Sequence, residues 1–256
     1  MIPVALSRLT SPEVHQAISE HPVLLLPIGA IEAHGPHLPI DTDVIIAVHL
    51  AERATVSLRT HGTAAWTLPP LTYSVSWVGS GFSGTIPIAG DVFESYLGGV
   101  LAALERLSPA AIVVVNAHLE PAHVAAIRHA AKQAEAATAV TIVFPDQREP
   151  RWSIQLSPEF HAGQRHGGSY ETSLMLAADR STVRTEVANQ LRALPINLPE
   201  RLKAGAKTFQ EAGGLQGYFG DPASASVSEG ERLYGVLESI ILQTLLESGV
   251  LSAGGA

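Results

Sequence analysis

Val23-Leu-Leu-Leu-Pro-Ile-Gly-Ala-Ile-Glu-Ala-His-Gly-Pro-His-Leu-Pro-Ile-Asp-Thr-Asp43 runs from an unbroken apolar stretch into a polar loop marked by glycine and proline. The stretch from Val23 to Gly29 reads as a buried strand, since apolar character without in–out alternation suits a parallel sheet covered on both faces. A segment of helical period follows over residues 43–58. Three more short apolar runs resemble the first, at residues 64–68, 110–116 and 140–144. Helical period returns at residues 91–107, 121–137, 171–178 and 229–247, and Pro121 suits a first helical turn, where a missing N–H is harmless. Such alternation, joined by right-handed crossovers, predicts an α/β fold: a three-layer α/β/α sandwich with a mostly parallel central sheet. Residues 193–225 are rich in Pro, Gly and polar side chains and read as a loop or flap. With no internal repeat, one domain over residues 1–256 is expected.

Composition narrows the function. Hydrophobic residues make up 46% and charged residues 16%, so the chain can bury a sizeable core. A net charge of −8 without a basic stripe argues against nucleic acid and against an anionic membrane surface. The absence of cysteine removes disulfides, thiolate metal sites, iron–sulfur clusters and cysteine nucleophiles. Met1-Ile-Pro-Val-Ala-Leu-Ser-Arg8 lacks the pattern of a signal peptide, and Val23 to Ile31 is too short to span a bilayer. A soluble, cytoplasmic protein is expected.

Eleven histidines stand out, several beside carboxylates and glycines. Glu32, His34 and Asp43 lie between a strand and a helix, where open α/β sheets bind ligands. An imidazole with two carboxylates suits Zn, Mn or Fe as divalent ions. The alternative makes Asp41 or Asp43 a helix N-cap and the histidines loop residues. Asn116-Ala-His-Leu-Glu120 closes a second buried strand, and in extended backbone His118 and Glu120 point to one side. His123 and His129, on the next helix, read as packing or surface residues. His166, before Gly167 and Gly168, suits an acid/base role near neutrality. Glu171 is either a first-turn partner of a helix dipole or a neighbour of the metals.

Together these segments resemble the creatininase (creatinine amidohydrolase) family. The resemblance rests on Glu32-Ala-His-Gly-Pro-His-Leu-Pro-Ile-Asp-Thr-Asp43, Asn116-Ala-His-Leu-Glu120 and His166-Gly-Gly-Ser-Tyr-Glu-Thr-Ser-Leu-Met-Leu176. A closing stretch from Gly217 to Gly230 is also similar, with Gly220-Asp-Pro222 at its centre. The resemblance implies the three-layer fold, two divalent ions per chain and a homo-oligomer, commonly a hexamer. Glu32, Asp43 and His118 would hold one ion, and His34, Asp43 and Glu120 the other, with Asp43 bridging. A hydroxide between the ions would attack an amide carbonyl, while His166 and Glu120 serve as catalytic groups and His166 assists the departing nitrogen.

Substrate contacts are expected from Ser76, Trp77 and Ser80, which fall where the family has a loop near the substrate, and from Leu119 and Arg165. Arg165 offers a cation for a carboxylate or other anion, or is a surface arginine. Two tryptophans enclose creatinine in creatininase itself, one shortly before the histidine matched by His166. Ala162-Gly-Gln-Arg165 stands there instead, and Trp152 aligns with neither tryptophan. The expected substrate is therefore a different small cyclic amide or an N-substituted amide. Deformylases and the mycofactocin-maturation peptidase of the family carry Gly-Gly-Asn after the matched histidine, where this chain has Leu119-Glu120. They remain the alternative among enzymes, beside a non-catalytic metal- or ligand-binding relative.

Overall fold

The computed structural model describes residues 4–252, so the first three residues of the opening stretch and the last four of the chain lie outside the described residues. Four strands form one parallel sheet in the order β2-β1-β3-β4: β1 (Val23–Ile28), β2 (Ala65–Thr67), β3 (Ala111–Asn116) and β4 (Thr141–Val143). Around them run α1 (Ser11–Ile18), α2 (Thr42–Thr60), α3 (Gly90–Leu104) and α4 (Pro121–Ala137). Beyond β4 the chain is looped and helical: α5 (Pro150–Ser153), α6 (Pro158–His161), α7 (Ser169–Asp179), α8 (Thr185–Ala188), α9 (Leu198–Lys203), α10 (Phe209–Ala212) and α11 (Val227–Glu247).

Every residue of β1 is buried, and alternate side chains enter different cores. Val23, Leu25, Val113 and Val115 pack with α2, α7 and α11, through Leu50, Leu174 and Leu237 among others. Leu24, Leu26, Ile28, Ile112 and Val114 pack with α3 and α4, through Phe93, Leu97 and Ile127. Helices cover both faces, so the expected α/β/α layering holds. This is why the strands carry no polar face.

Some limits differ from the expected ones. The helix expected over residues 91–107 ends at Leu104 and turns into a 3-10 turn, Glu105–Leu107, closed by Ser108 in the left-handed region. The sequence reading passed over α1, although Thr10 and Glu13 form a reciprocal capping box before it. The Pro- and Gly-rich segment 193–225 is not all loop, for it contains α9 and α10. Among the described residues no helix is long and apolar enough to cross a membrane.

Strand order decides where a site can form. From β1 the chain goes to β2 on one side and reaches β3 on the other, so β1 and β3 flank a switch point. A crevice opens there beyond the carboxyl ends of the strands.

Candidate active site

The chain delivers donors to that crevice from three places. After β1, Gly29 lies against the first turn of α2, where a Cβ would come within 2.6 Å of the Val44 nitrogen. The loop closes through Glu32 N–H donating to the Ile40 carbonyl at 2.8 Å. It brings buried Glu32 and His34 beside Asp43 in the first turn of α2, whose N-terminal dipole favours a carboxylate. After β3, the Asn116 amide donates to the His118 carbonyl at 2.6 Å and its oxygen accepts from His118 N–H at 3.2 Å. The same oxygen lies 2.9 Å from His123 Nε2, so a buried helix histidine steadies the turn. The third contribution crosses over from before α7. There Gly167, at φ +61°, lets its N–H reach Glu171 Oε2 at 2.6 Å.

Asp43 sits at the centre, and its two oxygens face different partners. Oδ1 lies 3.2 Å from His34 Nε2, which is also 3.6 Å from Glu171 Oε2. Oδ2 lies 3.0 Å from His118 Nδ1, which is 3.4 Å from Glu32 Oε2. Glu32 Oε2 is in turn 3.8 Å from His166 Nδ1. Each histidine contacts a backbone carbonyl through its other ring nitrogen: His34 Nδ1 to Glu32 at 3.0 Å, His118 Nε2 to Val75 at 2.8 Å, His166 Nε2 to Ala33 at 2.9 Å. A carbonyl only accepts, so those nitrogens carry the proton. The opposite nitrogens therefore face the cluster, each able to offer a lone pair to a metal once any proton on it is displaced.

The electrostatics follow from so many buried carboxylates. Burial pushes Glu32 up to about 8, against the pull of His118 and His34. Burial likewise raises Glu171 to about 7. For His34 burial acts downward, yet Asp43 and Glu171 raise it to about 10. Glu32 and Asp43 do the same for His118, to about 10. Asp43 itself stays far below the carboxylate range, because His34 and His118 outweigh its burial. His166 goes the other way: burial and the nearby His34 hold it well below its ordinary value, as a neutral imidazole. The cluster thus draws positive charge and retains protons to supply it.

Of the residues singled out in the sequence, Glu32, His34, Asp43, His118 and His166 converge. Glu120 is half-buried and groups with Glu32 and His118, its Oε2 accepting from Val78 N–H at 3.1 Å. The second carboxylate beside His34, after Asp43, is Glu171, not Glu120. A cavity of about 720 Å³ opens over the cluster, with Leu119 and Arg165 in its lining. Trp77 does not line it: the ring is 52% exposed and its Nε1–H donates to the Ile88 carbonyl at 3.2 Å. Ser80 is exposed, and Ser76 is buried outside the lining with its hydroxyl unpartnered. Trp152 is core, packed with α7 and α11. Sequence reasoning missed the cavity wall from α9 and α10, whose signal was the apolar spacing of Leu198, Leu202, Ala206 and Phe209.

The family model for creatininase, described as creatinine amidohydrolase, matches residues 7–245. The chain belongs to the creatininase family. It is accordingly a hydrolase of that family. A mycofactocin precursor peptide peptidase of Mycobacterium ulcerans is 32% identical over 246 residues, covering 91% of this chain and 88% of that protein. The creatinine amidohydrolase of Pseudomonas putida is 29% identical over 171 residues, covering 60% of this chain and 64% of its own. A crystal structure of creatininase superposes with a TM-score of 0.73 at 24% identity, covering 97% of this chain and 98% of the other, which places the creatininase fold.

Proposed function

We propose that this creatininase-family hydrolase is a dinuclear, metal-dependent amidohydrolase that cleaves the C–N bond of a small N-substituted or cyclic amide. One observation carries this reading: the two oxygens of Asp43 divide between two donor sets, one reached by His34 Nε2 and the other by His118 Nδ1. Glu32, Asp43 and His118 would hold one ion, and His34, Asp43 and Glu171 the other. Glu171 replaces Glu120 in the second set because it is Glu171 that lies beside His34 Nε2. The residues fit such ions. Both oxygens of Glu32, His34 Nε2 and Asp43 Oδ2 are buried without a hydrogen-bond partner, a costly state for polar atoms unless a cation satisfies them. Creatininases of this fold are described as a Zn–Zn type and as a Mn form, which supports Zn or Mn, with Fe open to the same donors.

Divalent ions there supply Lewis acidity toward the amide carbonyl and lower the pKa of a water. The chain's own groups do the rest. Glu120, freed from the second ligand set and aimed by Val78 N–H, takes a proton from the attacking water and delivers it to the departing nitrogen. His166 holds its Nε2–H against Ala33 and stays neutral, so it accepts at Nδ1 and orients rather than donating a proton. The cavity walls exclude bulk water from the reacting bond.

The decisive measurement is metal content per chain by inductively coupled plasma mass spectrometry. Two divalent ions are expected. Glu171→Gln should lose one of them, whereas Glu120→Gln should keep both and lose turnover. No ion after reconstitution with Zn and Mn sinks the reading. Because metal displaces protons from His34 and His118, both raised to about 10, affinity should climb with pH and fall on acidification. A zinc titration across pH 6 to 9 that shows no pH dependence contradicts this. Gly79 presses on Glu32, and a Cβ there would stand 2.5 Å from Oε1. Gly79→Ala should weaken metal affinity by roughly 10–100-fold, read by chelator competition.

A second reading, a small peptidase, is favoured by the peptidase relatives that cover nearly the whole chain and by a cavity larger than a single small ring needs. Release of amines from short peptides against cyclic amides separates the two. We also propose a single domain, a cytoplasmic location and a homo-oligomer. The last is supported by Tyr73, Trp77, Ile86, Val92 and Tyr96, each 46–55% exposed. Light scattering that returns a monomer would refute the oligomer.

A further inference from the structure

The outer part of the cavity bears on the substrate. One wall is apolar, formed by Leu198 and Leu202 of α9 with Phe209 at the start of α10. Phe209 reaches inward until its ring centroid is 4.1 Å from that of His166. Arg165, Lys203 and Lys207 line the same cavity. Two other arginines of the lining are already paired with Asp146, Arg128 at 2.7 Å and Arg148 at 3.0 Å. Arg165, Lys203 and Lys207 make no ion pair among the described residues.

Arg165 is also held in place. Its Nε–H donates to the Phe160 carbonyl at 2.7 Å, and its guanidinium lies over the Phe160 ring at 4.4 Å. A guanidinium fixed through Nε keeps its outer N–H groups for a planar, two-oxygen acceptor. Lysines on flexible stems act as point charges that draw an anion in from solvent. The same lining carries Glu120, Asp146 and Glu149, with Asp146 taken up by Arg128 and Arg148, so Arg165, Lys203 and Lys207 are the cations left to meet an anion.

We infer that the substrate is an anionic amide, an N-acyl amino acid or short peptide whose free carboxylate is held by Arg165 and whose apolar side chain rests on Leu198, Leu202 and Phe209. This rests on the hydrolase reading above and names its substrate class. A cavity of about 720 Å³ falls within the range of sites that enclose molecules of this size.

The test uses binding, so that it stands apart from turnover. The probe is N-acetyl-L-leucine with its amide N–H replaced by CH2, which has no C–N bond to cleave there, compared with the carboxamide of the same compound. Calorimetric titration of the metal-loaded protein should find the carboxylate at least about tenfold tighter, the value of a charge-assisted pair. Arg165→Met should cut that preference to within about twofold and leave the carboxamide unchanged. Arg165→Gln provides a second variant should Met disturb folding. The Lys203→Met/Lys207→Met protein should bind the carboxylate several-fold more weakly and with less dependence on salt. Equal binding of both compounds, binding of neither, or a preference that survives in both Arg165 variants overturns the proposal; in the last case the carboxylate sits on the metals. Asp43→Asn separates the two readings. That variant keeps the preference for the carboxylate if Arg165 holds it, whether or not two ions bind the wild type, and loses it if the metals hold it.

Discussion

On the two-ion proposal, Asp43→Asn is expected to abolish turnover, by about a thousandfold or more, and to reduce the bound ions from two to fewer than one. Both donor sets share this one side chain, so neither retains three ligands without it. Oδ1 and Oδ2 serve different partners, at 3.2 Å from His34 and 3.0 Å from His118, and a carboxamide offers one oxygen and an N–H in place of two anionic oxygens. The size of the loss is at least that of removing one preorganised electrostatic contact, about 10²–10³, because the Lewis acid and the activated water go together. The fold should survive. In the metal-free protein His34 and His118 hold Asp43 far below the carboxylate range, so losing its charge removes their buried partner and costs stability, offset only in part by less repulsion on Glu32 and Glu171. The expected pair of results is a metal-free melting temperature below wild type, and activity at background. An Asp43→Asn protein that turned over substrate normally would end the two-ion mechanism.

The largest effect on stability is expected at Gly230. This residue is in the first turn of α11, where the helix crosses α7. A Cβ there would run into the Ser173 carbonyl oxygen and stand 2.9 Å from the Ala177 Cβ. Backbone cannot yield as a flexible side chain can. Gly230→Ala should therefore cost about 3 kcal/mol, the upper end for overpacking. At roughly 2–4 °C per kcal/mol for a chain of this size, the melting temperature falls by about 6–12 °C. Gly235, one and a half turns along the same helix, is exposed and a Cβ there meets nothing within 4 Å. Gly235→Ala should be neutral or stabilise by about 0.5–1 kcal/mol, since glycine is a poor helix former. The contrast separates contact from propensity. If both variants melt alike, close approach of α7 and α11 does not limit stability. A push on α7 also reaches Glu171 in its first turn, so Gly230→Ala should weaken the second ion as well.

Much of the fold was legible because it depends on local pattern. β1 and β3 are apolar on both faces, and only a sheet covered on both sides buries such strands. β2 and β4 are three residues each, shorter than expected, since pairing with a single neighbour decides where an edge strand stops. Glu32, His34, Asp43 and His118 were legible for a similar reason. Glu32, His34 and His118 sit within a few residues of a strand's end and Asp43 in the first turn of the helix that follows, and the strand's end fixes where the crevice is. Trp77 was misplaced because a glycine- and serine-rich loop leaves its side chains' direction open. Its indole turns outward to Ile88.

The sequence by itself therefore determined the sheet, its double cover and the inventory of donors, all of which follow from spacing over a few residues. Only the tertiary structure decided which donors come together, which ring nitrogen of each histidine faces the cluster and what the cavity wall presents to a substrate. His34 meets Glu171 because α7 packs on α2, and Phe209 meets His166 because α10, beside α9, carries it into the cavity lining. Such pairings join residues far apart in the chain, and their geometry is set by the packing of whole elements, for which no local pattern of residues carries a signal.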